Sequence, residues 1–210
     1  RKGNRFTIGY EKTLLSDGPK SRSLSFNVNH FSDMDALPRY QNVPTLIDSF
    51  STFNGGLEYS NIRSSQGSVD GERGIRTLLG TSITHVEGEI VPQFLVELDL
   101  GFSLPLKNSS IWLRNAVGAA DGDILDPFAN FYFGGFGNNY LDRGSVKRYR
   151  EFYAMPGFEL NEIGGKNFAK TMLEWNLPPY RFERAGHPGF YFTWARTSLF
   201  AKHLTTNLDD

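Results

Sequence analysis

Cysteine is absent from this chain of 210 residues, and its 22 Lys and Arg residues nearly balance its 23 Asp and Glu residues. The lack of cysteine fits an oxidising compartment whose proteins avoid stray thiols, although many cytosolic chains also lack it. A net charge of −1 gives no electrostatic basis for binding nucleic acid, because neutralising phosphates takes a clustered basic surface. No run approaches the roughly 18 consecutive apolar residues of a transmembrane helix, so no membrane-spanning helix is predicted. A membrane protein that crosses with strands is not excluded.

Sequence motifs of catalysis and metal binding are also missing. The four histidines are scattered, none in an H-x-x-x-H spacing, and there is no G-x-S-x-G elbow, P-loop or H-E-x-x-H. Asp121, Asp123 and Asp126 match a calcium-type oxygen cluster, but a solvated loop is the favoured interpretation. Glu97 and Asp99 share a strand face, and hydration explains them better than an acid–base pair that lacks a third group. The sequence therefore predicts no catalytic residue, no metal site and no cofactor.

What the chain has in excess is aromatic residues and glycine, with 18 Phe, 9 Tyr and 22 Gly, in alternating patterns. In the strongest run, Phe94, Val96, Leu98, Leu100, Phe102 and Leu104 alternate with Gln93, Glu97, Asp99, Gly101 and Ser103. This two-residue period predicts a strand with the apolar set on one face and the carboxylates on the other. In a membrane barrel the apolar set faces lipid and the carboxylates face the lumen. In a soluble sandwich the carboxylates face bulk water.

Similar alternation predicts a series of strands and no helix. The strands are joined by short turns at 16–19, 87–89 and 105–109 and by long polar loops at 32–49, 63–73, 119–127 and 136–166. Short turns on one rim and long loops on the other are typical of an outer-membrane barrel. Aromatic residues near strand ends, Trp112 and Trp175 among them, fit the membrane–water interface, although strands favour aromatic residues in general. We predict an all-β fold, a transmembrane antiparallel β-barrel segment of about eight or nine strands that occupies residues 1–210.

Both ends of the sequence favour a segment of a longer barrel. Arg5 already lies in a strand pattern, and Asp210 closes no element. We therefore expect the chain to be a fragment or a processed product, with any targeting signal upstream.

The loop at 136–166 carries a basic cluster, Arg143, Lys147, Arg148 and Arg150, ahead of the turn Pro156-Gly157. On a flexible loop, such a cluster is usually a solvated surface. If the loop folds into a closed barrel, its arginines need a carboxylate, because an unpaired charge in a confined lumen is costly. The Pro-Gly pair supplies the rigid, tight turn that an inserted loop requires.

Five short motifs follow one another around this loop. They are Phe131-Tyr132-Phe133-Gly134-Gly135, Pro156-Gly157-Phe158, Ile163-Gly164-Gly165, Glu174-Trp175-Asn176-Leu177-Pro178, and Gly189-Phe190-Tyr191-Phe192 with the segment to Phe200. Their order resembles the C-terminal half of barrels of the bacterial surface antigen superfamily, the outer-membrane protein assembly factors. In that family an aromatic-Gly-Gly strand end precedes a long extracellular loop that folds back into the lumen. The resemblance implies a barrel of about 16 strands, with Gly134, Gly135, Gly164 and Gly165 as its strand-end glycines and the last motif as the penultimate strand.

One position departs from the family pattern. The loop tip of the family carries Arg-Gly-Phe/Tyr, and its arginine inserts into the barrel wall, whereas Pro156 precedes Gly157 here. We expect Arg148 or Arg150 to take its place and to pair with Glu174, which alternates with apolar residues and so faces the lumen. The predicted lumen loop thus includes Arg148, Arg150, Pro156, Gly157 and Phe158.

The resemblance also implies a function, the insertion or movement of proteins at the bacterial outer membrane. The expected partners are the lipid bilayer and client or partner proteins, with no nucleic acid and no enzymatic activity in this segment. Family members carry periplasmic or enzymatic domains upstream. Two alternatives stay open from the residues themselves, a porin-like transport barrel with a selective polar lumen and a soluble β-sandwich binding module with long recognition loops.

Overall fold

The computed structural model describes residues 3–34, 47–123, 126–136, 147–187 and 189–208, and these form an all-β structure. Eight strands belong to the main sheet: β1 Asn4–Asp17, β2 Lys20–Ser32, β3 Phe50–Arg63, β4 Arg73–Val86, β5 Glu89–Ser103, β6 Ser110–Ala120, β9 Asn167–Asn176 and β12 Ser198–Thr206. Two small sheets pair β7 Phe131–Phe133 with β8 Ile163–Gly165 and β10 Tyr180–His187 with β11 Phe190–Ala195. Short 3-10 helices lie at Pro127–Ala129 and Arg148–Arg150. Among the described residues, no helix has the length and apolar character needed to cross a membrane.

The main sheet is an antiparallel meander in the order β1-β2-β3-β4-β5-β6-β9-β12. The predicted all-β class and the large antiparallel sheet are therefore confirmed. Its edge strands β1 and β12 pair only with β2 and β9, respectively, within the described ranges. These eight strands form an open sheet, not a closed barrel.

The two faces of the main sheet have opposite character. Along β5, Phe94 and Phe102 are 57% and 58% exposed, whereas the side chain of Asp99, on the other face, is only 8% exposed. The predicted alternation of this strand is thus confirmed. Cross-strand register continues the apolar face, because Val96 lies between Leu79 and Val117. An exposed apolar face and a covered polar face reverse the arrangement that water favours for a sheet.

The connections at the two ends of the main sheet do not sort by length. The lower end carries the connections at 18–19, 64–72, 104–109 and 177–197, and the upper end carries those at 33–49, 87–88 and 121–166. The prediction of one rim with short turns and one with long loops is therefore wrong. In an antiparallel meander, successive connections alternate between the ends, so the short 87–88 turn lies beside the long connection that follows β2.

Two predicted barrel strands lie outside the main sheet. The strand predicted at 128–135 is only the three-residue β7, which pairs with β8 in a separate sheet. Residues 190–195 form β11 of the β10–β11 hairpin, and β12, at Ser198–Thr206, is the strand that pairs with β9. The penultimate strand implied by the family resemblance is thus divided between two sheets.

An aromatic cluster covers the upper part of the polar face. Phe131 and Phe133 of β7 contact Phe168 of β9, with ring centroids 4.9 and 4.8 Å apart, and Phe152 joins the cluster. Phe133 and Phe168 are fully buried. The cluster fixes β7 and β8 over the sheet, and Phe152 joins residues 147–162, which lead into β8, to the same cluster.

Candidate functional site

A segment of the predicted lumen loop lies along the polar face, and we call residues 147–155 the docked segment. It begins with the 3-10 helix Arg148–Arg150 and leads into the turn at Met155-Pro156-Gly157-Phe158. The backbone N–H of Phe158 donates to the carbonyl of Met155 at 3.3 Å, and Gly157 has a φ of 103°. A positive φ at the third position of such a turn requires glycine, so the predicted Pro-Gly turn is present.

Glu174 is the centre of the contacts that hold the docked segment. Its carboxylate is fully buried and accepts hydrogen bonds from Tyr149 Oη at 2.8 Å, Arg150 Nε at 3.0 Å and Arg114 Nε at 2.8 Å. The predicted pairing of Glu174 with one of two loop arginines is thus present, and Arg150 is the partner. Arg150 also reaches Asn176, with Nη2 3.5 Å from Oδ1.

Asp70, in the 64–72 connection, binds the same arginine from the lower end of the sheet. Its Oδ2 accepts from Arg150 Nη2 at 2.6 Å and from Arg196 Nη1 at 2.7 Å, and it lies 2.7 Å from Lys147 Nζ. Burial would raise the pKa of Asp70, but the hydrogen bonds and positive charges of Arg150 and Lys147 outweigh it and hold the pKa well below its usual range. Arg150 therefore connects the 64–72 connection to β9.

Further ion pairs extend this network across the polar face. Arg114 Nη1 donates to Asp99 Oδ2 at 2.6 Å, and Arg76 Nε donates to Glu58 at 2.7 Å. The network joins Glu58, Asp70, Glu97, Asp99 and Glu174 with Arg76, Arg114, Lys147, Arg150 and Arg196. The interpretation of Asp99 as a hydrated carboxylate is thus wrong, because it is buried and paired. The five carboxylates and five cations of this network offset part of each other's desolvation cost.

Two lysines bind the backbone of the docked segment. Lys170 Nζ donates to the carbonyls of Glu151 at 3.0 Å and Ala154 at 2.8 Å, and also to that of Phe152. Lys202 Nζ donates to the same Ala154 carbonyl at 2.7 Å and to that of Tyr149. Carbonyls that follow a short helix are a natural site for an ammonium group, which has three donors to place.

Glycines at the end of β7 let the backbone of the loop approach closely. Gly134 N donates to Tyr153 O at 3.2 Å, and Gly135 forms a bridge with Met155, whose N–H donates to Gly135 O at 2.9 Å. A Cβ at Gly134 would lie 1.8 Å from Glu159 O, and its φ is 154°. A Cβ at Gly165 would lie 2.8 Å from Thr206, whereas Gly164 has ordinary contacts with a tyrosine ring. Of the four strand-end glycines predicted from the sequence, Gly134 and Gly165 leave no space for a Cβ, and Gly135, with a φ of 50°, has a backbone conformation that favours glycine.

The Pro156-Gly157-Phe158 turn, which we predicted as part of the lumen loop, is only partly covered. Phe158 is 43% exposed, and a Cβ added to Gly157 would meet nothing within 4 Å. The contacts come from residues 149–154, several positions earlier. Gly157 and Phe158 are exposed and Pro156 is half-buried, whereas Arg150 makes the predicted pair with Glu174.

Several site residues were not predicted from the sequence. Asp70, Arg114, Tyr149, Lys170, Arg196 and Lys202 all bind the docked segment or its partners. For Arg114, Lys170 and Lys202, the sequence feature that could have identified them is the alternation in β6, β9 and β12, which places these charged residues on one face of the sheet. Trp112 was also misplaced, because it is buried on the polar face, where its indole N–H donates to Gly71 O at 3.1 Å.

No family model and no curated protein matches this chain. Within the described ranges, no group of three or more His, Asp or Glu side chains is placed to hold a metal ion. The fold and the site thus define an all-β protein whose open antiparallel sheet binds a segment of its own chain on its polar face.

Proposed function

We propose that this chain is part of a transmembrane β-barrel of the bacterial outer membrane, similar to the surface antigen superfamily, and that it takes part in protein insertion or translocation. The observation that carries the proposal is the docked segment, held by ion pairs on the polar face of a sheet whose opposite face is apolar and exposed. The apolar face is the lipid-facing wall, and the polar face lines the lumen.

The polarity of the sheet supports a membrane environment. Large apolar side chains are exposed on strand after strand, including Ile8 in β1, Phe94 in β5, Leu173 in β9 and Leu199 in β12. Soluble proteins rarely expose contiguous apolar surfaces larger than several hundred Å². Lipid removes the cost of this exposure, and a lumen explains why charged side chains occupy the other face.

The docked segment supports a barrel wider than eight strands. The interior of an eight-stranded barrel is filled by its own side chains. Here the polar face already holds the docked segment and the aromatic cluster around Phe168. Strands beyond these eight provide the required width, which fits the barrel of about 16 strands that the family resemblance implies.

The contacts of Arg150 support the family role despite Pro156. In the resemblance, an arginine of the inserted loop fixes that loop to the barrel wall. Arg150 makes equivalent contacts with the β9 residue Glu174 and with Asp70. We infer that the lock has moved six positions along the loop, and that it keeps the lumen in a defined state for passage or insertion of a client protein.

Membrane extraction and heat-modifiability of the protein test the proposal. We expect the protein to stay in membranes through a carbonate wash, to need detergent for extraction and to migrate faster on an unheated gel than after boiling. Release by carbonate and identical migration would contradict it and favour a soluble sandwich. In planar bilayers, steady open-pore conductance in the wild type would favour a porin-like barrel. Conductance that appears only after Glu174→Gln favours a lumen closed by the docked segment.

A further inference from the structure

The lower end of the main sheet contains a cavity that is separate from the docked segment. It has a volume of about 280 Å³ and lies between the ends of β3 and β4 and the 104–109 turn. Its lining includes Arg63, Arg73 and Lys107, together with Ser64 and Ser103. A cavity of this size is at the small end of ligand sites, which suits a headgroup and not a whole lipid.

The three cations of this cavity have no ion-pair partner among the described residues. Arg63 and Arg73 face each other directly across β3 and β4, and both are exposed. Like charges in directly opposite positions destabilise a sheet. An anion bound between the two guanidinium groups removes this repulsion, and an arginine fork suits the oxygens of a phosphate.

The acidic residue of the cavity is already engaged. Glu72 is buried, and its carboxylate accepts from Ser65 N at 2.7 Å and from Asn108 Nδ2 at 3.3 Å. Burial would raise the pKa of Glu72, but these hydrogen bonds lower it, so the carboxylate is charged. Glu72 thereby joins the 64–72 connection to the 104–109 turn, and the two form one wall of the cavity. The three positive charges of the cavity exceed the single negative charge of Glu72.

An adjoining groove connects the cavity to the apolar face. The groove has a volume of about 450 Å³ and is lined by Arg63, Arg73 and Phe102, among others. Phe102 is 58% exposed, and Leu106 in the neighbouring turn is 57% exposed. A ligand that fills both spaces has a phosphate in the cavity and hydrocarbon along the apolar face.

We propose that this cavity binds the phosphate of an anionic phospholipid, with Arg63 and Arg73 on its oxygens and the acyl chains against Phe102. The proposal rests on the membrane orientation proposed above. Free phosphate offers the same oxygens to the two arginines. The groove beside the apolar face favours a lipid as the molecule that carries the phosphate.

Lipid binding to the purified protein in a neutral detergent tests the proposal. Native mass spectrometry with added phosphatidylglycerol or phosphatidylcholine compares the two affinities. Phosphatidylcholine carries a choline cation beside its phosphate, whereas phosphatidylglycerol is net anionic, so we expect the two arginines to favour phosphatidylglycerol by at least about tenfold. Arg63→Gln with Arg73→Gln abolishes the preference, and the matching lysine pair keeps most of it. Lys12→Gln, which removes an exposed cation outside the cavity, leaves it within about twofold.

Four results separate the possible failures. An unchanged preference in the double glutamine variant overturns the site. Binding of inorganic phosphate as tight as that of phosphatidylglycerol, measured in the same detergent, overturns the lipid as ligand. If the wild type keeps its heat-modifiable migration but shows no lipid preference, only this inference fails. If heat-modifiability is absent as well, the membrane barrel itself fails.

Discussion

Glu174 illustrates how a single buried carboxylate organises the polar face. It has no exposed surface, and a tyrosine hydroxyl and two guanidinium groups donate to it. Burying an ion is unfavourable unless it is paired and its remaining lone pairs are bonded. Arg150 belongs to the loop and Arg114 to the sheet. Because both donate to Glu174, the contacts that offset its desolvation also join the loop to the sheet.

The first prediction concerns this carboxylate. Glu174→Gln keeps the shape but removes the charge, and we expect it to weaken docking by about 3 kcal/mol. Protease nicking within residues 147–158 then rises about a hundredfold, because cleavage follows the population of the open form. The matched control is Glu58→Gln, whose side chain is 39% exposed and whose pair with Arg76 contributes under about 1 kcal/mol.

A double-mutant cycle completes that test. Arg150→Gln combined with Glu174→Gln should cost less than the sum of the single changes by at least about 1 kcal/mol, since the two residues contact each other. Strict additivity would mean that the two side chains do not interact in solution. A simple charge swap is less informative, because an arginine at 174 would repel Arg114.

The second prediction concerns pH and Asp70. The pKa of Asp70 is held below its ordinary value of 3.8 in the folded protein, so its contribution to docking is present at neutral pH. It is lost as the pH falls below the unfolded pKa and towards the folded one. With Trp175 and Trp194 replaced by Phe, the fluorescence of Trp112, which bonds to Gly71 O, reports on the 64–72 connection.

Its control is Asp70→Asn. In this variant the fluorescence change below pH 4 should be smaller, because the titrating group is gone and the anchoring is already weakened at neutral pH. An identical acid transition in both proteins would assign the change to other carboxylates.

At the scale of elements, backbone approach limits which residues the loop tolerates. The third prediction is that Gly134→Ala disrupts docking, because the new Cβ would lie 1.8 Å from Glu159 O and the φ of 154° is unfavourable for alanine. Gly164→Ala is the matched control, since its Cβ would meet the nearest atom at 3.5 Å. We expect a clear fall in Tm for Gly134→Ala and little change for Gly164→Ala. Equal Tm values would show that the loop readjusts freely.

The fourth prediction concerns β5. Spin labels placed one at a time along 93–103 should alternate in accessibility to a lipid-soluble quencher, with Phe94, Val96 and Leu98 on the accessible side. Leu98→Arg should cost about 2–4 kcal/mol if that position lies near the bilayer midplane. A smooth accessibility profile without a two-residue period would contradict a lipid-facing wall.

Sequence patterns predicted the faces of strands better than their partners. Alternation placed Glu97 and Glu174 on the polar face, and the surplus of loop arginines led to the pairing with Arg150. The same period does not identify which sheet a strand joins, so β7 and β11 were assigned to the barrel. Asp70 was not predicted as a site residue, because it is remote from Arg150 in sequence and only the fold brings the two together.

At the scale of the whole molecule, the open edges of the main sheet bear on the number of strands. β1 and β12 each have one partner in the described chain. Exposed edges favour pairing with further strands. A barrel closed by eight strands would have no interior space for the docked segment, because its own side chains would fill it. The open sheet is thus consistent with a wall that continues on both sides.

The fifth prediction tests this continuation by cross-linking. Because the chain has no cysteine, a disulfide within one chain can form only between the two cysteines introduced into β1 and β12. A positive control replaces Leu173 and Ala201, which are direct cross-strand neighbours in β9 and β12 and so lie within disulfide range. We expect the control to oxidise within one chain, and pairs of Ile8 or Tyr10 with Ala201 or His203 not to do so in the membrane. Intramolecular cross-linking of any β1–β12 pair would mean that eight strands close on themselves. The docked segment would then have to leave the interior, and the wider barrel would be excluded.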